Sequence, residues 1–202
     1  VEVNAETDFV AKNEIFQTFV QQIADQALAS SLVGGKDGED VEALLGENGL
    51  KEALVDKTAT IGEKLSFRRF QKLSGDVVVD YLHGNGRIGV IVAGNGASDD
   101  AAKEALKNVA MQIAALSPKY VSTADVSEEY KAHEKEILMA QIANDPKMAG
   151  KPEKVIEGAV VGRLNKELKE VCLLEQPYVK AEDGKQTVAQ YLAQVAKENG
   201  AK

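Results

Sequence analysis

Apolar and polar residues alternate at the start of the chain, and the pattern then changes period. Val1, Val3 and Ala5 alternate with Glu2 and Asn4, the period of a strand with one covered face. Further on, Phe16, Phe19, Val20, Ile23, Ala27 and Leu28 recur at spacings of three and four, which predicts one face of a helix. Between strand and helix stands Thr7-Asp8-Phe9-Val10-Ala11-Lys12-Asn13, so an aromatic ring and a carboxylate sit side by side at a corner. Thr7, Asp8 and Asn13 each suit a helix cap, and the pattern leaves the choice open. If Thr7 caps, Asp8 falls in the first turn, where the positive end of the helix favours a carboxylate, and Phe9 rides on a rigid element. A phenylalanine at such a corner is usually a core plug. The sharper reading is an exposed anchor, of the kind that dominates interface energetics.

The rest of the pattern predicts a mixture of helices and short strands. Residues 34–49 are rich in glycine and acid and predict a loop with one short helix. An amphipathic helix follows over about 50–64 (Leu50, Leu54, Ala59, Ile61), then a strand over 65–70. Residues 76–82 and 87–92 are rich in β-branched residues, and His83-Gly84-Asn85-Gly86 between them makes an antiparallel hairpin. Gly84-Asn85-Gly86-Arg87-Ile88-Gly89 spells the dinucleotide-binding fingerprint, but its glycines lead into a strand, with no helix N-terminus to receive a phosphate. A further helix spans about 99–115 (Ala102, Leu106, Val109, Ala110, Ile113), and Pro118 ends it. The order strand, corner, helix thus occurs twice: Val90–Ala93 and Val109–Ala114 answer Val1–Ala5 and Phe19–Ala24. The second corner, Gly94-Asn95-Gly96-Ala97-Ser98, has no aromatic, which favours a functional rather than architectural Phe9.

Two more helices, Ser127–Ala143 (Tyr130, Ile137, Leu138, Ile142) and Glu153–Val171 (Val155, Ile156, Val160, Leu164, Leu168), flank a breaker-rich tip at 144–152. Their narrow apolar stripes predict an antiparallel coiled-coil hairpin that packs mainly on itself. Its outer faces are read as solvated, with an oligomer or partner surface as the alternative. A last amphipathic helix over 187–199 (Val188, Tyr191, Leu192, Val195) starts from Thr187 as cap. The expected fold is α+β: two repeated subdomains of antiparallel sheet packed by helices, with an inserted helical hairpin. The expected division is 1–75, then 76–120 with 172–202, and 121–171 for the insert.

Charge and composition narrow the function classes. The net charge of −8 argues against a nucleic-acid binder and against docking on an anionic membrane. One cysteine, Cys172, allows no intrachain disulfide and fits a reducing compartment. No apolar run approaches the ~20 residues of a membrane span, and no signal peptide opens the chain. The chain starts inside a strand and without Met, which is read as a cut, a processing site or the edge of an ordered fragment. The two histidines, His83 and His133, lie far apart, no metal-binding spacing or phosphate loop is present, and the carboxylates are scattered. The chain is read as a binding module that needs no cofactor or metal and is not an enzyme. An enzyme using His83 is the weak remaining alternative.

Residues 1–16, VEVNAETDFVAKNEIF, closely resemble the signature of the elongation factor Ts family. IGEKLSFRRF at 61–70, YLHGNGRIGVIV at 81–92 and VAMQIAALSPKYV at 109–121 are similar to later blocks of that family in the same order. The resemblance covers most of the chain and is weakest in 30–50 and 122–170. It implies a guanine-nucleotide exchange factor for elongation factor Tu, bound in its GDP-bound and nucleotide-free states. By resemblance, Asp8 and Phe9, flanked by Thr7 and Val10, enter the G domain near its magnesium ion, where the ring wedges between two helices. Ile61 matches a position that touches the same G domain, and His83 one that touches a β-barrel domain. The block around His83 carries one extra residue, Asn85 or a neighbour. The resemblance implies a cytoplasmic protein, bacterial or organellar, and is compatible with a homodimer carrying two elongation factor Tu molecules. The family's N-terminal helical module and last strand have no counterpart, so a truncated or partly ordered form is expected. The competing reading is a structural or dimerising protein that works through the helical hairpin.

Overall fold

A computed structural model describes residues 1–200. The order is β1 (Glu2–Asn4), α1 (Asp8–Ala11), α2 (Glu14–Ala29), α3 (Val41–Leu45), α4 (Leu50–Ile61), β2 (Ser66–Arg69), β3 (Val77–His83), β4 (Ile88–Gly94), α5 (Asp100–Leu116), α6 (Glu128–Ala143), α7 (Glu153–Val171) and α8 (Val188–Glu198). The fold is α+β, with β1 paired to β2 and β3 to β4, both antiparallel. The chain divides into two compact units, residues 1–74 and the residues from 75 onward.

In the first unit, α2 is the organising helix. Phe16, Phe19, Ile23 and Ala27 occupy its buried stripe. They share one cluster with Val41, Leu44 and Leu45 of α3, Leu50 of α4, and Leu65, Phe67 and Phe70 in and around β2. Val3 of β1 faces Phe67 across the sheet, so the alternating start of the chain covers the same core. Glu2, on the same strand, reaches Arg69 (Nε–Oε2 2.6 Å) and Arg68 (2.9 Å). Partial burial alone would raise its carboxyl, but the hydrogen bonds from Arg69, Arg68 and Asn4 outweigh it and hold the group below the usual range. Leu28, expected on the buried face, is 74% exposed instead. It stands five residues after Ile23, about 140° around a helix that advances about 100° per residue, and so points away from the stripe.

In the second unit, β3 and β4 form the expected hairpin in register from Val77↔Gly94 to His83↔Ile88. The turn is built at Gly84, Asn85 and Gly86, all with positive φ. One face of the hairpin lies on α5, whose Ala105, Leu106, Val109 and Ala110 are buried. Gln112 of α5 is also fully buried and fully bonded: it donates to Gln176 Oε1 (3.2 Å) and to Pro177 O (3.1 Å), and accepts from the Val179 N–H (2.9 Å). This polar contact ties the segment after α7 to the long helix. Val188 and Tyr191 of α8 close the core with Tyr178, whose ring stacks on Tyr191 at 4.1 Å. Cys172 is buried, and burial pushes its thiol up from its ordinary value.

The helices α6 and α7 pack against each other, with Leu138 and Ile142 meeting Val160 near the tip. Val126, Tyr130, Leu164, Leu168 and Cys172 cluster at the base. Ile137 and Val155, expected on the apolar stripes, are exposed, because each sits one residue before a residue of the packed row and so about 100° off it. At the base, the Tyr130 hydroxyl donates to Glu167 Oε1 at 3.5 Å. Glu167 is pushed up from its ordinary value, first by burial and then by the neighbouring Glu134 on α6, a like charge.

Two predictions follow from this packing. Ile23→Ala is expected to destabilise by about 2–5 kcal/mol, because a buried side chain is removed and a cavity left. Urea unfolding checks it, and a loss below about 1 kcal/mol contradicts the packing. A raised folded-state pKa means that the folded chain holds the Glu167 proton more tightly than the unfolded chain does. The stabilisation is therefore present in acid and lost as pH rises through the carboxylate range. Glu167→Gln should raise the melting temperature at neutral pH, with the gain shrinking as pH falls; an unchanged gain across pH 4 to 7 would contradict it.

Candidate functional site

The corner at 7–13 resolves the open question of the cap by using two. Thr7, in extended conformation, caps α1, and its hydroxyl accepts from the Val10 N–H at 3.4 Å. Asn13 caps α2, and its Oδ1 accepts from the Ile15 N–H at 2.8 Å. The chain therefore starts a helix, stops after one turn and starts again. Asp8 lies in the first turn of α1, beside the positive helix end, and forms an ion pair with Lys12 at 2.8 Å. Phe9, next to it, is 83% exposed. The core-plug reading of this residue is thereby excluded.

A single turn with no buried residue does not hold itself together in water. Part of its support is Val10, partly buried against the cluster that α2 organises. The rest comes from the segment after α4. Gly62, at φ 81, caps α4 and turns the chain, donating its N–H to Thr58 O at 2.9 Å. Glu63 then accepts two hydrogen bonds from Thr7, from the backbone N–H (Oε2, 3.0 Å) and from the hydroxyl (Oε1, 2.6 Å). In return the Lys64 N–H donates to Glu6 Oε2 at 3.3 Å. Ile61, the last residue of α4, packs on the same core as Val10. Thr7, Asp8, Phe9, Val10 and Ile61 therefore belong to one unit, tied by this clasp.

His83 belongs to the other unit. It is the last residue of β3 rather than part of the turn, and it is exposed. Its Nδ1 lies 3.0 Å from the Tyr81 hydroxyl, two residues back on the same face. Sequence reasoning named Thr7 and Ile61 but missed Glu63 and Glu6. No pattern could find them, since the clasp joins residues 56 and 58 positions apart.

Among the described residues, no group of three or more His, Cys, Asp or Glu could hold a metal ion. An apolar cavity of about 300 Å³ in the second unit is lined by Val77, Val92, Leu106, Val109, Leu173 and Leu192, among others. Its one carboxylate, Asp99, is engaged as the cap of α5. Among the described residues, no helix is long and apolar enough to cross a membrane. What the corner offers is contact: a fixed, exposed ring beside a carboxylate.

Comparison with known proteins gives a consistent result. The family model described as Elongation factor TS matches residues 6–201. The chain is 51% identical, over 207 residues, to Elongation factor Ts of Clostridioides difficile (strain 630), an alignment that covers 99% of this chain and 64% of that relative. It therefore spans just under two thirds of the length of that relative. The corner, the turn at Gly62 and both hairpins all lie within the matched span, and the chain belongs to the elongation factor Ts family.

Proposed function

We propose that this chain is a guanine-nucleotide exchange factor that binds elongation factor Tu and promotes GDP release by contact alone. The observation that carries the reading is the 83% exposure of Phe9 on a turn capped by Thr7 and followed directly by the Asn13 cap of α2. An apolar ring held in water at a fixed place costs free energy unless a partner covers it, and aromatic anchors of this kind concentrate binding energy. In the proposed complex Asp8 and Phe9, flanked by Thr7 and Val10, enter the partner's G domain near its magnesium ion. Ile61 touches the same domain, and His83 makes a separate contact from the second unit. Exchange of this kind takes place in the cytoplasm, where translation runs.

The energetics set the division of labour. Burying one phenylalanine contributes about 1.5–3 kcal/mol, far less than the affinity of a tightly held nucleotide. The remaining contacts must supply the binding, and Phe9 converts part of it into distortion at the metal site. The coupling is reciprocal: the factor weakens GDP binding by the same ratio as GDP weakens the factor's. Release by contact needs no proton or group transfer.

The test is release of a fluorescent GDP analogue from elongation factor Tu. The wild-type chain should accelerate release, and Phe9→Ala should lose roughly tenfold or more of the acceleration. The substitution is at an exposed site, so stability should change by no more than about 0.5 kcal/mol. Equal acceleration by wild type and Phe9→Ala would overturn the reading.

A further inference from the structure

The carboxylate of Glu63 is placed to do more than close a loop. Both of its oxygens accept from one residue, Thr7, and the two bonds (3.0 and 2.6 Å) are shorter than the cap bond from the Val10 N–H to the Thr7 hydroxyl (3.4 Å). The hydroxyl bond matters most. With its hydrogen donated to Glu63, the Thr7 oxygen can turn only its lone pairs to the Val10 N–H, which is the orientation the cap needs. The backbone bond fixes the peptide that enters α1, and with it the direction in which the turn starts. Since α1 is one turn long and buries no residue, the direction of the Phe9 side chain depends on that start.

We propose that Glu63 is a positioning residue for Phe9: by clasping both donors of Thr7 it sets the orientation of α1 and aims the ring at the partner. The inference rests on the exchange reading above and adds a residue that touches neither nucleotide nor metal. It also gives the block at 61–70 a second task. Ile61 presents an apolar contact, and Glu63, two residues on, locks the corner beside it. The reciprocal bond from the Lys64 N–H to Glu6 makes the clasp two-sided, so that segments 6–7 and 63–64 move as one piece.

Five proteins test it: wild type, Glu63→Ala, Glu63→Gln, Phe9→Ala and the double variant Phe9→Ala/Glu63→Ala. Without any partner, amide hydrogen exchange reads the corner directly. Glu63→Ala should speed exchange at Val10 by roughly tenfold and leave Ile23 in the α2 core unchanged. Unchanged protection at Val10 overturns the clasp. In release of the fluorescent GDP analogue, Glu63→Ala should cut the acceleration roughly tenfold. Glu63→Gln should recover only part of it, because its single amide oxygen can accept from one of the two Thr7 donors while its NH2 group faces the other. The decisive comparison is the background without the ring: added to Phe9→Ala, Glu63→Ala should remove nothing further. A further loss there means that Glu63 acts by its own contact or through global stability, and overturns the inference. If wild type and Phe9→Ala differ as proposed but Glu63→Ala equals wild type, only this inference falls. If wild type itself fails to accelerate release, the exchange reading falls, and the role of Glu63 in it falls too.

Discussion

Phe16, Phe19 and Ile23 leave water on one side of α2 and share one cluster with residues of α3, α4 and β2, in which Phe67 and the neighbouring Phe70 lie in ring contact at 5.9 Å. That burial fixes α2, and α2 fixes everything at its N-terminal end. Asn13 can cap only because the helix behind it does not move. Val10 can pack only because the cluster offers a surface. An aromatic side chain left in water is of use to a partner only if its backbone is already ordered, since ordering it on binding would cost about 1–2 kcal/mol per residue. The core under α2 and the clasp from Glu63 order it in advance, one from below and one from the side.

The two units share a sequence of elements but differ at the equivalent places. In the first, the strand leads through a helical turn into α2; in the second, β4 leads through residues 95–99, without a helix, into α5 capped by Asp99. Gln22 and Gln112 occupy matching positions in the repeat, yet Gln22 is exposed and Gln112 is fully buried. The second helix spends its glutamine on holding the return segment after α7, and the first spends its end on holding the corner. The two corners and the buried faces of the helices that follow them thus differ between the units.

Much of this was legible beforehand, and the exceptions have physical causes. The long helices follow from their spacing of three and four, and the β3–β4 hairpin from its glycine-rich turn. The cap at Thr187 is formed as read, with Gln190 completing a capping box. Leu28, Ile137 and Val155 were placed on buried faces because periodicity marks a stripe but not its width; each lies well off the packed row. The corner was found as a motif, and its exposure was argued from the missing aromatic in the second unit. Glu63 could not be found at all, because a carboxylate after a glycine turn looks like any solvated acid until the fold brings Thr7 to it.

Phe9 is in water in the free chain, and in the proposed complex the partner buries it. Replacing Phe9 with a fluorinated phenylalanine and recording its fluorine resonance as elongation factor Tu is added tests this directly. The free chain should give one resonance with the full solvent isotope shift of an exposed ring. In the complex the resonance should move and lose that isotope shift. A complex that forms while the resonance keeps its full solvent isotope shift would contradict insertion of Phe9, because the ring would then still be in water.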